Sequence, residues 1–370
     1  MSEETGKSFE EIGTEGRKVG TETEKCPSCG SNMVFDPEGQ CLSCPHCGTK
    51  VQFVKGETAK ELDLSSALGK NRQWDREEAV VFSCDNCGAK VVLKSGQTAK
   101  VCPFCGTAHV RKTEELAGLK PNGLVPFSFG EEKAVEYSKT WARKRFFAPR
   151  KFKKRLSAEN VNGVYVPCFT FDSRTTSVYE GRIGTTHTRT VGSGKNRRTE
   201  TYTVWRNISG TYYDDFNDVL ITAGSKLDQQ KLDKIRPYDT DSGKVYEENY
   251  LLGFMAYQYD EELDGCWDKA KGVMDRELRN RILSQYTHDR VAYLNVSTRH
   301  EGVTYKYVML PVYVGNYNYK KKLFNFYVNG ETGKTWGKYP KSVPKILSLV
   351  LLGVAIVGLA VWYFVSNGGV

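Results

Sequence analysis

The sequence predicts two small four-cysteine zinc ribbons, an α+β middle domain rich in antiparallel strands, and one C-terminal transmembrane helix. Three observations carry that expectation. Eight of the eleven cysteines fall into two units of the form C-x2-C-x14-C-x2-C. Residues 120–340 mix Thr-, Tyr- and Val-rich runs with two amphipathic stretches of helical period. Residues 346–365 are almost wholly apolar and contain no charged side chain.

The elements follow in chain order. Residues 1–24 are rich in Glu, Gly and Thr and have almost no large apolar side chains, which predicts a disordered leader. The stretch Met1 to Lys7 is acidic and polar with no apolar run behind it, so no cleavable signal peptide is expected. The cysteines are therefore read in a reducing compartment, where Cys-x-x-Cys pairs indicate metal ligation and not disulfides.

The first unit, within 25–55, carries Cys26, Cys29, Cys44 and Cys47; the second, within 79–112, carries Cys84, Cys87, Cys102 and Cys105. Corresponding cysteines lie 58 residues apart, so the units are a tandem repeat. Zn²⁺ takes four thiolates in a tetrahedron at about 2.3 Å, and a Cys-x-x-Cys turn supplies two of them from one side. Gly30, Gly48, Gly88 and Gly106 follow the four pairs, where positive φ lets the backbone wrap the sulfurs. Two structural Zn²⁺ ions are expected, with short strands at Asn32–Phe35 and Lys90–Leu93. Cys41 also forms a Cys-x-x-Cys pair with Cys44, but its counterpart in the second unit is Ala99. The repeat thus favours Cys44 with Cys47. His46 and His109 are surplus to sites already holding four cysteines. A connector over 56–78 separates the ribbons.

In the 120–340 domain a helix is predicted from Glu131 to Arg145, ended by Pro149. Gly163 to Asp172 reads as a buried strand, and runs at 175–190 and 199–213 as a long hairpin with a mobile tip at Gly192–Asn196. A helix at 264–286 places Trp267, Ala270, Val273, Met274, Leu278, Ile282 and Leu283 on one face. Strands at Val291–Thr298, Tyr305–Val314 and Lys322–Val328 follow, then a turn at Asn329-Gly330 and a return strand through Lys334–Trp336. Gly330-Glu-Thr-Gly-Lys-Thr335 fails as a phosphate-binding loop, because position 328 is Val328 where that loop needs Gly. Cys168 and Cys266 read as buried thiols, and His187, His288 and His300 form no recognisable catalytic set, so no enzymatic activity is expected.

At 1.5 Å per residue the 346–365 helix spans about 30 Å, the thickness of a bilayer's hydrocarbon core. Lys334, Lys338, Lys341 and Lys345 precede it and nothing basic follows, which predicts residues 1–345 in the cytoplasm. The formal charge of +9 falls to about +5 when two tetrathiolate zinc sites are counted. A basic excess of that size suits an anionic membrane or nucleic acid equally. Arg143, Lys144, Arg145, Arg150, Lys151, Lys153, Lys154 and Arg155 crowd into one stretch with interleaved aromatics. Three readings stay open for it: a solvated helix end, a contact to anionic headgroups, or a nucleic-acid contact.

These features together resemble a family of bacterial membrane-anchored double zinc-ribbon proteins, common in Gram-positive bacteria. The resemblance rests on the two ribbons, Gly163-Val-Tyr-Val-Pro-Cys-Phe-Thr-Phe-Asp172, Leu310-Pro-Val-Tyr313, Val328-Asn-Gly-Glu-Thr-Gly-Lys334 and the terminal apolar run. Such proteins carry labels taken from the TFIIB-type zinc ribbon or from the primosomal helicase, although no helicase motor fits this chain. The resemblance implies an adaptor that brings cytoplasmic proteins to the membrane, with flotillin-type (SPFH) partners and a role in membrane stress. The alternative is a membrane-tethered nucleic-acid-binding protein.

Overall fold

The structure is a computed structural model, which describes residues 25–52, 57–67, 79–94, 102–108, 110–113, 119–154, 161–194, 197–320 and 322–367. The expected leader, the end of the connector (68–78), His109, Arg155 and hairpin-tip positions 195–196 lie outside the described residues.

The N-terminal elements are short: β1 (Val34–Asp36), β2 (Cys41–Ser43), β3 (Lys50–Val51), β4 (Leu62–Asp63), α1 (Leu64–Ala67), β5 (Ala79–Cys84), β6 (Lys90–Lys94), β7 (Val110–Thr113) and β8 (Gly123–Leu124). Next come α2 (Glu131–Arg143), α3 (Arg150–Lys154), β9 (Val161–Val191), β10 (Arg198–Thr222), α4 (Gln229–Ile235), β11 (Lys244–Val245) and β12 (Met255–Tyr257). The chain closes with α5 (Leu263–Ser284), β13 (Arg290–Tyr319), β14 (Lys322–Asn329), β15 (Thr335–Gly337) and α6 (Val343–Asn367).

Strands β1 to β3 make a small antiparallel sheet of their own, whereas the other twelve share one sheet. Its centre is β9, flanked by β10 and β13 in long antiparallel registers. The run Gly163–Phe171 is buried at every position, as a strand covered on both faces should be. From Ser173 onward burial alternates, because only one face is then covered. The covering element is α5, which buries Leu263, Cys266, Ala270, Met274, Leu278 and Ile282. Its far end packs Ile282 with Tyr179, Ile183, Ile208 and Leu294.

The two strands expected at Val291–Thr298 and Tyr305–Val314 are one strand. The expected break falls over 299–304, around Gly302. The ladder to β9 instead shifts register between Glu301 and Thr304, with Gly302 at φ 58, so the insertion is absorbed as a bulge. The first predicted helix is likewise shorter than expected, ending at Arg143, and Pro149 precedes a separate turn of helix, α3.

The described part of the connector is docked and not loose. β4 pairs with β13 at Leu62↔Tyr305, and Leu64 and Ala67 of α1 are buried. At the other end, α6 is long and apolar enough to cross a membrane by length and composition, and none of its apolar window is buried.

Candidate metal centres

Four backbone knuckles of one geometry build the two cysteine clusters. In each, the glycine two residues past the second x donates back to the first cysteine: Gly30 to Cys26, Gly48 to Cys44, Gly88 to Cys84 and Gly106 to Cys102, at 2.8–2.9 Å. All four glycines sit at φ 72–76, a conformation that a Cβ would strain. The first cysteine's own N–H bonds the carbonyl five residues on, as from Cys26 to Ser31 and from Cys102 to Thr107, both 2.8 Å. The sequence spacing therefore dictates the local backbone almost completely.

The knuckles bring Cys26, Cys29, Cys44 and Cys47 together, and separately Cys84, Cys87, Cys102 and Cys105, with all sulfurs of a cluster within 4.8 Å of one another. Cross-knuckle pairs stand at 3.4 Å (Cys26–Cys47), 3.5 Å (Cys29–Cys44), 3.5 Å (Cys84–Cys105) and 3.6 Å (Cys87–Cys102). These separations are too long for disulfides, and all the cysteines are free. A tetrahedron with metal–sulfur bonds near 2.3 Å has edges of about 3.8 Å, so each cluster is close to the shape a metal ion such as zinc requires. Burial drives the thiol of Cys87 up to about 11 and raises that of Cys102 further. Cys105 goes the other way, lowered to about 6, despite its burial, by hydrogen bonds led by that of Thr107. Four thiolates this close repel one another unless a cation lies among them.

A second sphere is visible as well. Thr49 lies 3.1 Å from the Cys47 sulfur, and Thr107 lies 3.2 Å from Cys105 and 3.5 Å from Cys84. The Thr107 hydroxyl can donate to a thiolate and steady its orientation, while the Thr49 hydroxyl donates to Ser28 at 3.0 Å. The signal was present in the sequence as the repeated Cys-Gly-Thr of 47–49 and 105–107. Cys41 stays outside its neighbouring cluster: it lies buried in β2, paired with Asp36. His46 is exposed and joins neither cluster.

The clusters differ in their support. The first ribbon rests on the body through Phe35, whose N–H bonds Leu252 O at 2.9 Å and whose ring meets Tyr250 and Phe254. The second is fused into the large sheet. Val91 and Val92 of β6 pair with Tyr257 and Ala256 of β12, and β12 runs parallel to β9. Phe104 packs on Tyr257 with centroids 5.0 Å apart. Asn316 and Asn325 donate to the carbonyls of Pro103 and Phe104 at 2.8 and 2.9 Å. Lys226 donates to the carbonyl of Cys87.

One buried group escaped the sequence reading. Lys306 sits inside the apolar run of β13 and binds Glu61 at 2.8 Å and Asp218 at 2.9 Å, with Asp172 beside them. The ammonium lies between Glu61 and Asp218 and offsets part of their charge, and the cluster ties the connector to the sheet. The available signal was a lone lysine between Tyr305 and Tyr307. Cys168 and Cys266 are fully buried, and burial holds the Cys266 thiol near about 12.

Of the basic stretch, Arg143, Lys144, Arg150 and Lys151 are exposed and Arg145 and Lys153 half-buried; Arg155 lies outside the described residues.

Fold and centres together define a two-tetrad, zinc-ribbon-like protein with a sheet-rich body and one C-terminal helix long enough to span a membrane. The chain belongs to the family of the uncharacterized protein YdjG of Bacillus subtilis (strain 168), to which it is 30% identical over 328 residues, 87% of this chain and 91% of that one. No protein-family model matches the chain, and no solved structure matches it.

Proposed function

We propose that this protein is a membrane-anchored adaptor. Helix α6 crosses the bilayer once, residues 1–345 lie in the cytoplasm, each cysteine tetrad holds one structural Zn²⁺, and the ribbons and middle domain recruit cytoplasmic proteins.

The observation that carries this reading is a two-stranded arm. Beyond Gly184, where β13 begins at Arg290, β9 and β10 continue alone to the hairpin end. There Tyr202, Val204 and Trp205 are 46, 51 and 38% exposed, too apolar for a stretch of sheet that serves only solvent. Exposed aromatics on a hydrogen-bonded scaffold are the usual anchors of protein recognition. Among the described residues the outer edge of β10 pairs with no strand, which adds backbone donors and acceptors to the same surface. The zinc sites fit a scaffolding role, because a tetrad of four thiolates has no open coordination position for chemistry. The resemblance stated above supports a flotillin-type (SPFH) membrane protein as the class of partner and membrane stress as the setting.

Affinity capture from detergent-solubilised membranes tests it, using the intact chain, a Tyr202→Ser/Val204→Ser double variant and a Cys84→Ser/Cys102→Ser double variant. A partner held by the intact chain and lost with the arm or the ribbon supports the adaptor. If all three chains capture the same proteins, the adaptor reading fails. Elemental analysis on the same samples should give two zinc ions for the intact chain and the arm variant.

A further inference from the structure

Two acid-free basic segments far apart in sequence meet at the foot of α6. Residues 141–155 and 334–345 contain no Asp or Glu. The fold brings them together: Ser342 N–H donates to Phe147 O at 2.8 Å, and the Lys345 ammonium donates to the carbonyls of Phe146 and Ala148 at 2.8 and 3.0 Å. The corner is fastened to the body from within. Phe152 is fully buried against Trp141 and Tyr317, and Arg145 lies over the rings of Trp141 and Tyr339.

This leaves Arg143, Lys144, Arg150, Lys151 and Lys341 pointing to solvent beside the first turn of the apolar helix. Among the described residues none of them is ion-paired with a carboxylate. Phe146 is 63% exposed on the same corner, with Lys345 over its ring at 5.6 Å. An aromatic ring among cations at the mouth of a membrane helix is the composition of an interfacial surface. Burial and the nearby charge of Lys345 both lower the Lys153 ammonium, which registers how closely these cations are packed.

We propose that the corner 143–153, joined to the base of α6, is a docking surface for anionic phospholipid headgroups that holds the cytoplasmic body in a fixed attitude against the bilayer. The inference rests on α6 being a membrane span. The geometry decides among the readings of the basic stretch. A helix end meant only for solvent has no need to be bolted to α6. A nucleic-acid surface at this place would have to lie within about one Debye length of a leaflet that repels phosphate.

The test uses the full chain in nanodiscs of phosphatidylcholine with and without phosphatidylglycerol, read by hydrogen exchange of peptides covering 143–153. Peptides of the β9–β10 arm serve as the internal reference. Phosphatidylglycerol should slow exchange in 143–153 by about tenfold and leave the arm unchanged, and raised salt should remove the difference. The variant Arg143→Gln/Lys144→Gln/Arg150→Gln/Lys151→Gln should enter discs normally and show no lipid dependence. It leaves in place Arg145, which lies over Trp141 and Tyr339, and Lys153, which donates to the carbonyl of Arg143, and unchanged arm exchange checks its fold. Equal exchange in both discs overturns the proposal, as does protection by added duplex DNA in place of anionic lipid. Failure of the wild-type chain to co-elute with any disc overturns the anchor itself and this inference with it.

Discussion

The two ribbons share one cysteine spacing and one knuckle geometry, yet they stand in different relations to the rest of the molecule. The first keeps its own three-stranded sheet and meets the body through Phe35, whose ring packs on Tyr250 and Phe254, and through Gln40, which donates to the carbonyl of Phe127 at 2.8 Å. The second has lost its boundary: β6 joins β12, Lys226 holds the Cys84–Cys87 knuckle, and two asparagines with Phe104 hold the Cys102–Cys105 knuckle. Ligand exposure follows the same division. Cys29 and Cys47 are exposed, while Cys87 and Cys105 are half-covered. Metal ligation thus specifies a local turn, and the residues between and beyond the ligands decide whether that turn is an appendage or part of a core.

This contrast gives the loss of each metal site an unequal consequence. Cys102→Ser should release the second metal, fray β5 to β7 and β12, and destabilise the main unfolding transition by roughly 5 kcal/mol or more. Cys44→Ser should release the first metal and leave the main transition nearly in place. Calorimetry with zinc analysis on each variant checks this, and equal shifts in the two would abolish the distinction.

The aromatic footholds come next. Phe104→Ala opens a cavity against Tyr257 at a cost of about 3–5 kcal/mol, and the second metal should be held more weakly. Phe35→Ala should undock the first ribbon with both metals retained, which faster proteolysis near 25–52 would reveal. Removing a clamp, as in Asn325→Ala, should cost only about 1 kcal/mol, because one carbonyl bond is lost at a half-exposed site.

The smallest effect belongs to the Lys306 cluster and depends on pH. Burial raises Asp172 above the ordinary carboxylate range, with the charge of Asp218 adding to it. A carboxyl whose folded pKa is raised opposes folding when ionised. That cost is complete above the folded pKa and vanishes once pH falls below the unfolded value. Asp172→Asn keeps an oxygen to accept the Asp218 N–H, now 2.7 Å away, and removes the charge. The variant should therefore melt slightly higher than the parent at pH 7 to 8 and equal to it near pH 3. A gain that persists in acid would show that packing, not charge, was responsible.

Legibility in the sequence tracked the range of the interaction. The knuckles were readable because their ligands, glycines and hydrogen bonds lie within six residues of one another. The run Gly163–Asp172 was readable as a buried strand because burial on both faces demands an uninterrupted apolar stretch, although it and the run at 175–190 form a single strand, β9. The division of β13 into two strands was misread, since a Gly-containing bulge and a turn use the same residues. Lys306 was missed because its partners, Glu61 and Asp218, are 245 and 88 residues away.

The sequence by itself determined the two cysteine tetrads, the alternation that makes the long strands, the apolar terminal helix and the basic character of 143–155. Each of these is set by neighbours along the chain. Only the tertiary structure decided that Cys41 lies outside the first tetrad, that one ribbon is fused into the large sheet while the other keeps its own, and that the basic corner stands at the foot of α6. Those outcomes depend on pairings between residues such as Phe146 and Lys345, which lie 199 positions apart and meet only when the sheet between them has formed.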